Sequence, residues 1–157
     1  MSKIITAYFS AGGVTEKVAG IIAKATDSQL FRITPKSEYT REDLNWRNKE
    51  SRSTLEMSDK SFRPEVIEPK ADLEAVETVF LGFPIWWYIA PTIVNSFLEA
   101  NDFSGKRIVL FATSGGSGFG KTVDFIKNSV SSDTEIIEGK VFNSRFDEAD
   151  IEAFAKT

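Results

Sequence analysis

The stretch "RIVLFATSGGSGFGKT", residues 107–122, decides how this chain is read. Its first seven residues are an apolar run rich in β-branched and aromatic side chains, which reads as a buried strand. Its last eight, residues 115–122, match G-x-x-x-x-G-K-T, the loop that cradles the phosphates of nucleoside triphosphates. Strand, glycine-rich turn and helix start, in that order, belong to an α/β sheet whichever ligand the loop serves. The ligand has to be read from what the rest of the chain supplies.

A triphosphate site needs a carboxylate at the end of another apolar strand to organise magnesium. The other two strong apolar runs, residues 4–9 and 78–83, close "AYFS" and "FLGFP", and this one closes "LFATS". None ends in a carboxylate. The motif also stands late, with one candidate strand after it. In the alternative reading, Gly115 and Gly116 let the backbone lie flat against the edge of a ring and present N–H groups to it. Lys121 and Thr122 are then only the first turn of a helix.

Outward from this stretch the chain alternates. Residues 30–33 form a shorter strand candidate ended by Pro35, and residues 135–142 a fifth, with Gly139 inside it as a bulge or bend. Apolar residues at helical spacing lie between: Val14, Val18, Ile21 and Ile22; then Ile89, Ile93 and Phe97 beside Val94 and Leu98; then Val123, Ile126 and Val130; finally Ile151, Phe154 and Ala155. Alternation of this kind predicts an α/β fold, a parallel sheet with helices on both faces. Residues 39–69 break the rhythm. They are polar and charged, and read as an ordered, partly helical insertion after the second strand. Thr40 is its candidate cap with Asp43 closing the box, and Leu44, Trp46 and Leu55 are its candidate anchors.

The totals narrow the function. At 157 residues one domain is expected, residues 1–157. A net charge of −4 argues against nucleic acid as a partner, because phosphate binding needs a basic face. Without Cys there is no thiolate nucleophile, and without His the Ser-His-Asp and Cys-His constellations and the commonest general base are gone. No apolar run reaches the roughly 20 residues of a membrane span. The opening "MSKIITAYFS" lacks signal-peptide organisation, so the cytoplasm is the expected compartment.

In an open parallel sheet, ligands bind outside the carboxyl ends of the strands. After the first strand stands "SAGGVT": Ser10, Ala11, Gly12, Gly13, Val14 and Thr15. Its hydroxyls, its glycines and the unpaired N–H groups of the helix that follows suit an anion without any Lys or Arg; a plain capped turn is the alternative. After the third strand stands "GFPIWWYIAP", with Pro84, Ile85, Trp86, Trp87 and Tyr88. Consecutive side chains of an extended segment point to opposite sides, so both Trp rings cannot enter one core. At least one belongs at the mouth of a site that suits a flat conjugated ring; burial beneath the insertion is the alternative. After the fourth strand stand Thr113, Ser114, Gly115, Gly116 and Gly118.

These three loops together resemble a flavodoxin, over essentially the whole chain and closest to the members with "PIWW" in the second loop. The resemblance implies a five-stranded parallel sheet in the order 2-1-3-4-5. It implies flavin mononucleotide (FMN) as cofactor, its phosphate at Ser10–Thr15, its ring flanked by Pro84–Tyr88, and its pyrimidine edge at Thr113–Gly118. Gly12 stands where the family usually has Thr, Val14 replaces a frequent Asn, and no Gly lies beside the Trp pair. Either Trp86 or Trp87 would stack on the flavin.

The implied function is electron transfer between redox partner proteins, with a monomer expected rather than a dimer, an exposed flavin edge and an acidic rim; the cofactor carries the redox chemistry. The rival is an FMN-dependent NAD(P)H:quinone or nitro reductase, with Arg41, Arg47 or Arg52 of the insertion on the dinucleotide phosphates. A solvated helix face is the plainer account of those arginines. A third reading keeps the fold as a binding module without a flavin.

Overall fold

The computed structural model describes residues 3–114, 116–143 and 146–156. Five strands form one sheet: β1 (Ile4–Tyr8), β2 (Gln29–Arg32), β5 (Thr78–Pro84), β6 (Arg107–Thr113) and β7 (Glu135–Phe142). All neighbours run parallel, in the order β2-β1-β5-β6-β7. This is the expected order of five. The central strands β1, β5 and β6 are buried almost throughout, which is why they are apolar on both faces. The register of β6 on β7 shifts between Leu110 and Phe111, beside Gly139. A Cβ at Gly139 would run into the Leu110 carbonyl and the Phe154 ring, so this irregularity depends on glycine.

Helices cover both faces. On one, α1 (Val14–Thr26) packs beside α5 (Glu148–Ala155), burying Val18, Ile22, Ile151 and Phe154 over Phe80, Phe111 and Phe142. On the other lie α3 (Thr92–Ala100) and the short α4 (Thr122–Ile126), with Ile93, Phe97 and Ile126 buried. Ile89 is not part of the helix its spacing suggested. Pro91 is the N-cap of α3, and Ile89 belongs to a tight turn before it.

The insertion leaves and returns through a two-stranded antiparallel bridge, β3 (Thr34–Pro35) with β4 (Val66–Ile67). Between them lies α2 (Arg52–Ser58), capped by Ser51. Thr40 and Asp43 do exchange the two capping-box bonds, at 2.8 and 3.1 Å. No α-helix follows them. The next backbone bonds close only four-residue turns, from Leu44, Asn45 and Asn48 back to the carbonyls three residues before, and the side chains of Asn45 and Asn48 take the N–H groups of Arg47 and Glu50. Of the three expected anchors only Leu44 packs on the core; Trp46 and Leu55 are exposed. Tyr39, Glu56 and Met57 anchor the segment instead, because α2 turns Ser53, Glu56 and Met57 inward and Leu55 outward.

Candidate functional site

The carboxyl ends of β1, β5, β6 and β7 open onto two adjoining clefts. The first, about 550 Å³, has Ala11, Gly12, Val14 and Thr15 on one side and Pro84, Ile85 and Trp86 on the other, with Thr113 and Ser114 between. Gly13 is the N-cap of α1 with φ 92°, a left-handed turn that suits glycine, and no side chain caps this helix. The first-turn N–H groups therefore remain donors at the positive end of a thirteen-residue helix. Ser10 does not line the cleft; its hydroxyl accepts the Gly13 N–H at 3.0 Å and fixes the turn. Thr15 and Thr113 share a buried hydroxyl–hydroxyl bond of 2.7 Å, which ties the first turn of α1 to the end of β6.

The second loop is a tight turn. Trp86 and Ile89 exchange both backbone hydrogen bonds, at 2.9 and 3.2 Å, and the two residues between them, Trp87 and Tyr88, have φ 50° and 66°. Positive φ at both central positions is the signature of the type I′ turn, which favours Asn and Gly. Bulky side chains there cost about 1–2 kcal/mol each. The consequence is a division of the rings. Trp86 faces inward, edge-on to Phe9 at 5.7 Å and to Tyr39 at 5.4 Å. Trp87 and Tyr88 face outward, 42% and 71% exposed. One Trp thus lies against the insertion and the other at the mouth.

The third loop resolves the G-x-x-x-x-G-K-T match. Thr122 is fully buried and its hydroxyl donates to the Phe119 carbonyl at 2.6 Å, which takes it away from any metal-bound phosphate. Lys121 is the exposed N-cap of a five-residue helix. Gly120 has φ 57°, and a Cβ on it would collide with the Tyr88 carbonyl. That glycine serves the contact between the second and third loops. Ser114 accepts the N–H groups of Gly116 and Ser117 at 3.2 and 2.9 Å, shaping the loop. Gly116 lines the second cleft, Gly118 lines neither, and Gly115 lies outside the described residues.

The second cleft, about 540 Å³, continues the first through Leu44, Ile85, Trp86 and Ser114. Its outer wall combines Trp87 and Tyr88 with Trp46 and Ser53 of the insertion. A buried clamp holds the insertion here. The Tyr39 hydroxyl donates to Glu56 Oε1, Arg52 Nε donates to Glu56 Oε2 at 2.9 Å, and the Arg52 guanidinium lies 3.8 Å over the Tyr39 ring. Burial, and then the bond to Glu56, push the Tyr39 phenol well above its ordinary range. Arg52 also donates to the Ser37 carbonyl at 2.7 Å, so it is committed to this clamp. Arg47 lies over Trp46, 5.1 Å from the ring centroid.

The sequence did not point to Phe142, Asn143 and Phe146, which close the first cleft beyond β7, or to Ser53. The rule that ligands meet strand ends covers the β7 end, yet that strand is largely exposed and carried no motif to mark it. No Asp, Glu, Lys or Arg lines either cleft among the described residues. The clefts offer backbone N–H groups and hydroxyls at one end and aromatic walls at the other. Among the described residues no helix is long and apolar enough to cross a membrane.

An open parallel sheet with a neutral, ring-walled groove where its strand order reverses defines a class of nucleotide-binding α/β proteins. The chain belongs to the flavodoxin family, whose model matches residues 3–157. It is similar to a protein from Bacteroides uniformis described as a flavoprotein, at 36% identity over 99% of each chain with a TM-score of 0.91. A second such protein, from Bacteroides eggerthii, is 39% identical, with 99% of this chain and 97% of that one covered and a TM-score of 0.86. A flavoprotein from Lactobacillus acidophilus solved in complex with FMN shares the fold at 18% identity, 99% coverage of both chains and a TM-score of 0.71. Among curated proteins, NAD(P)H dehydrogenase (quinone) 1 of Rattus norvegicus is 23% identical over 118 residues, 60% of this chain. The chain spans 43% of that relative's length.

Proposed function

We propose that the chain binds FMN across the two clefts and carries electrons between redox partners. The observation that carries this reading is the pairing of an uncapped helix N-terminus, lined by Gly12, Val14 and Thr15, with a neutral cleft walled by Trp86, Trp87 and Tyr88. The residues fit the cofactor. The donors at the start of α1 suit its phosphate, and open space beside Gly12 and Gly116 leaves the backbone approachable. The flat ring system suits the aromatic end. FMN supplies the redox chemistry when bound. The chain's residues bind it, orient it and exclude water from one side, and no side chain has to act as acid or base.

The second reading is an FMN-dependent quinone reductase, supported by the similarity to the rat enzyme. Arg52 is unsuited to dinucleotide phosphates because Glu56 and the Ser37 carbonyl hold it, which leaves Arg41 and Arg47. The FMN-loaded protein, given NADPH and a quinone, separates the two. A carrier turns over only when a ferredoxin-type reductase is supplied. Steady NADPH consumption without one overturns the carrier reading in favour of the reductase.

A further inference from the structure

We infer that the insertion, residues 39–69, is the outer wall of the ring-binding cleft and selects for the flavin ring through Trp46 and Ser53, independently of the phosphate. This rests on the FMN reading above. Three observations converge on it. Trp46 lines the second cleft yet is 66% exposed, and its ring does not pack into the core. An exposed ring on a cleft wall offers its face to a flat ligand, and the Arg47 guanidinium is already stacked near it.

Ser53 lines the same cleft and is 2% exposed, with a hydroxyl that has no hydrogen-bond partner. A buried hydroxyl without a partner is destabilising, and a polar edge of a bound ring would relieve it. The third observation is the clamp. Tyr39, Arg52 and Glu56 lock the insertion against Trp86, the ring shared by both clefts, so Trp46 and Ser53 are presented from a fixed segment. The phosphate end lies in the other cleft, on α1, and none of its residues belongs to the insertion apart from Leu44.

Riboflavin, which has the ring and lacks the phosphate, separates the two ends. The experiment is a fluorescence titration of the flavin-free chain with FMN and with riboflavin, for the wild type, Trp46→Ala, Trp46→Phe and Ser53→Ala. Trp46→Ala is expected to weaken both flavins by the same factor, about tenfold, the loss of one ring contact. Trp46→Phe should recover most of it. Ser53→Ala should weaken both about fivefold, while raising the melting temperature of the flavin-free chain because an unsatisfied group is gone. Unchanged riboflavin affinity in Trp46→Ala and Ser53→Ala overturns the inference and leaves the FMN reading standing. A wild type that takes up neither flavin overturns both, and is recognised before any variant is made.

Discussion

The carbonyl oxygen of Tyr88 occupies the space that a side chain on Gly120 would fill. This contact joins the second loop to the third, and with φ 57° at Gly120 it depends on glycine twice over. Gly120→Ala is expected to cost about 3 kcal/mol, from left-handed strain plus a backbone clash that no side-chain rotation relieves. Urea unfolding measures it, with the loss appearing in the midpoint at an unchanged slope.

Tyr88 pays for its place at the mouth with a left-handed backbone, and its side chain is 71% exposed. Tyr88→Asn therefore has little burial to lose and relieves strain. It should raise stability by about 0.5–1 kcal/mol while weakening flavin binding. Thermal melts of the flavin-free chain, paired with a flavin titration, check both halves; a drop in stability would contradict the turn assignment.

Glu56 is buried and carries bonds from Tyr39 and Arg52. Removing it leaves the Tyr39 phenol without its acceptor and the Arg52 guanidinium without its closest carboxylate, with the Ser37 carbonyl still bound. Glu56→Ala is expected to destabilise by about 3 kcal/mol, the range for one broken partner of a buried pair. The loss should concentrate in residues 39–69, where amide hydrogen exchange would register faster opening.

Tyr8 predicts a specific alkaline behaviour. Burial, then the 3.0 Å bond to Glu16, push its phenol up to about 12 from the usual 10. A folded pKa raised above the unfolded one means the unfolded chain loses the proton first. The contribution is complete below pH 10 and is lost as the pH rises to about 12. Wild type should thus lose stability relative to Tyr8→Phe across that window. Parallel curves of melting temperature against pH for the two proteins would contradict the assignment.

The sheet was legible in the sequence because its central strands are buried on both faces and so appear as short apolar runs. The three loops were legible because glycines, hydroxyls and adjacent aromatics at strand ends are hard to explain as core. The helix assigned to Ile89 failed because helical spacing is also met by a turn residue that happens to be buried. Trp46 and Leu55 failed as anchors because hydrophobicity does not tell which face of an irregular segment is turned inward. Glu56, a charged residue, holds the insertion instead, through partners that lie 17 residues and one turn of helix away. Ser53 gave no sequence signal at all: only the fold shows its unpaired hydroxyl and its place on a cleft wall.

Whether this chain holds FMN is read from the absorption spectrum of the purified protein, with chromatographic identification of what it releases on denaturation. A chain that binds FMN shows a flavin spectrum and releases the mononucleotide, or takes up in full the FMN added to a colourless preparation. A colourless protein that takes up no added FMN would contradict FMN binding.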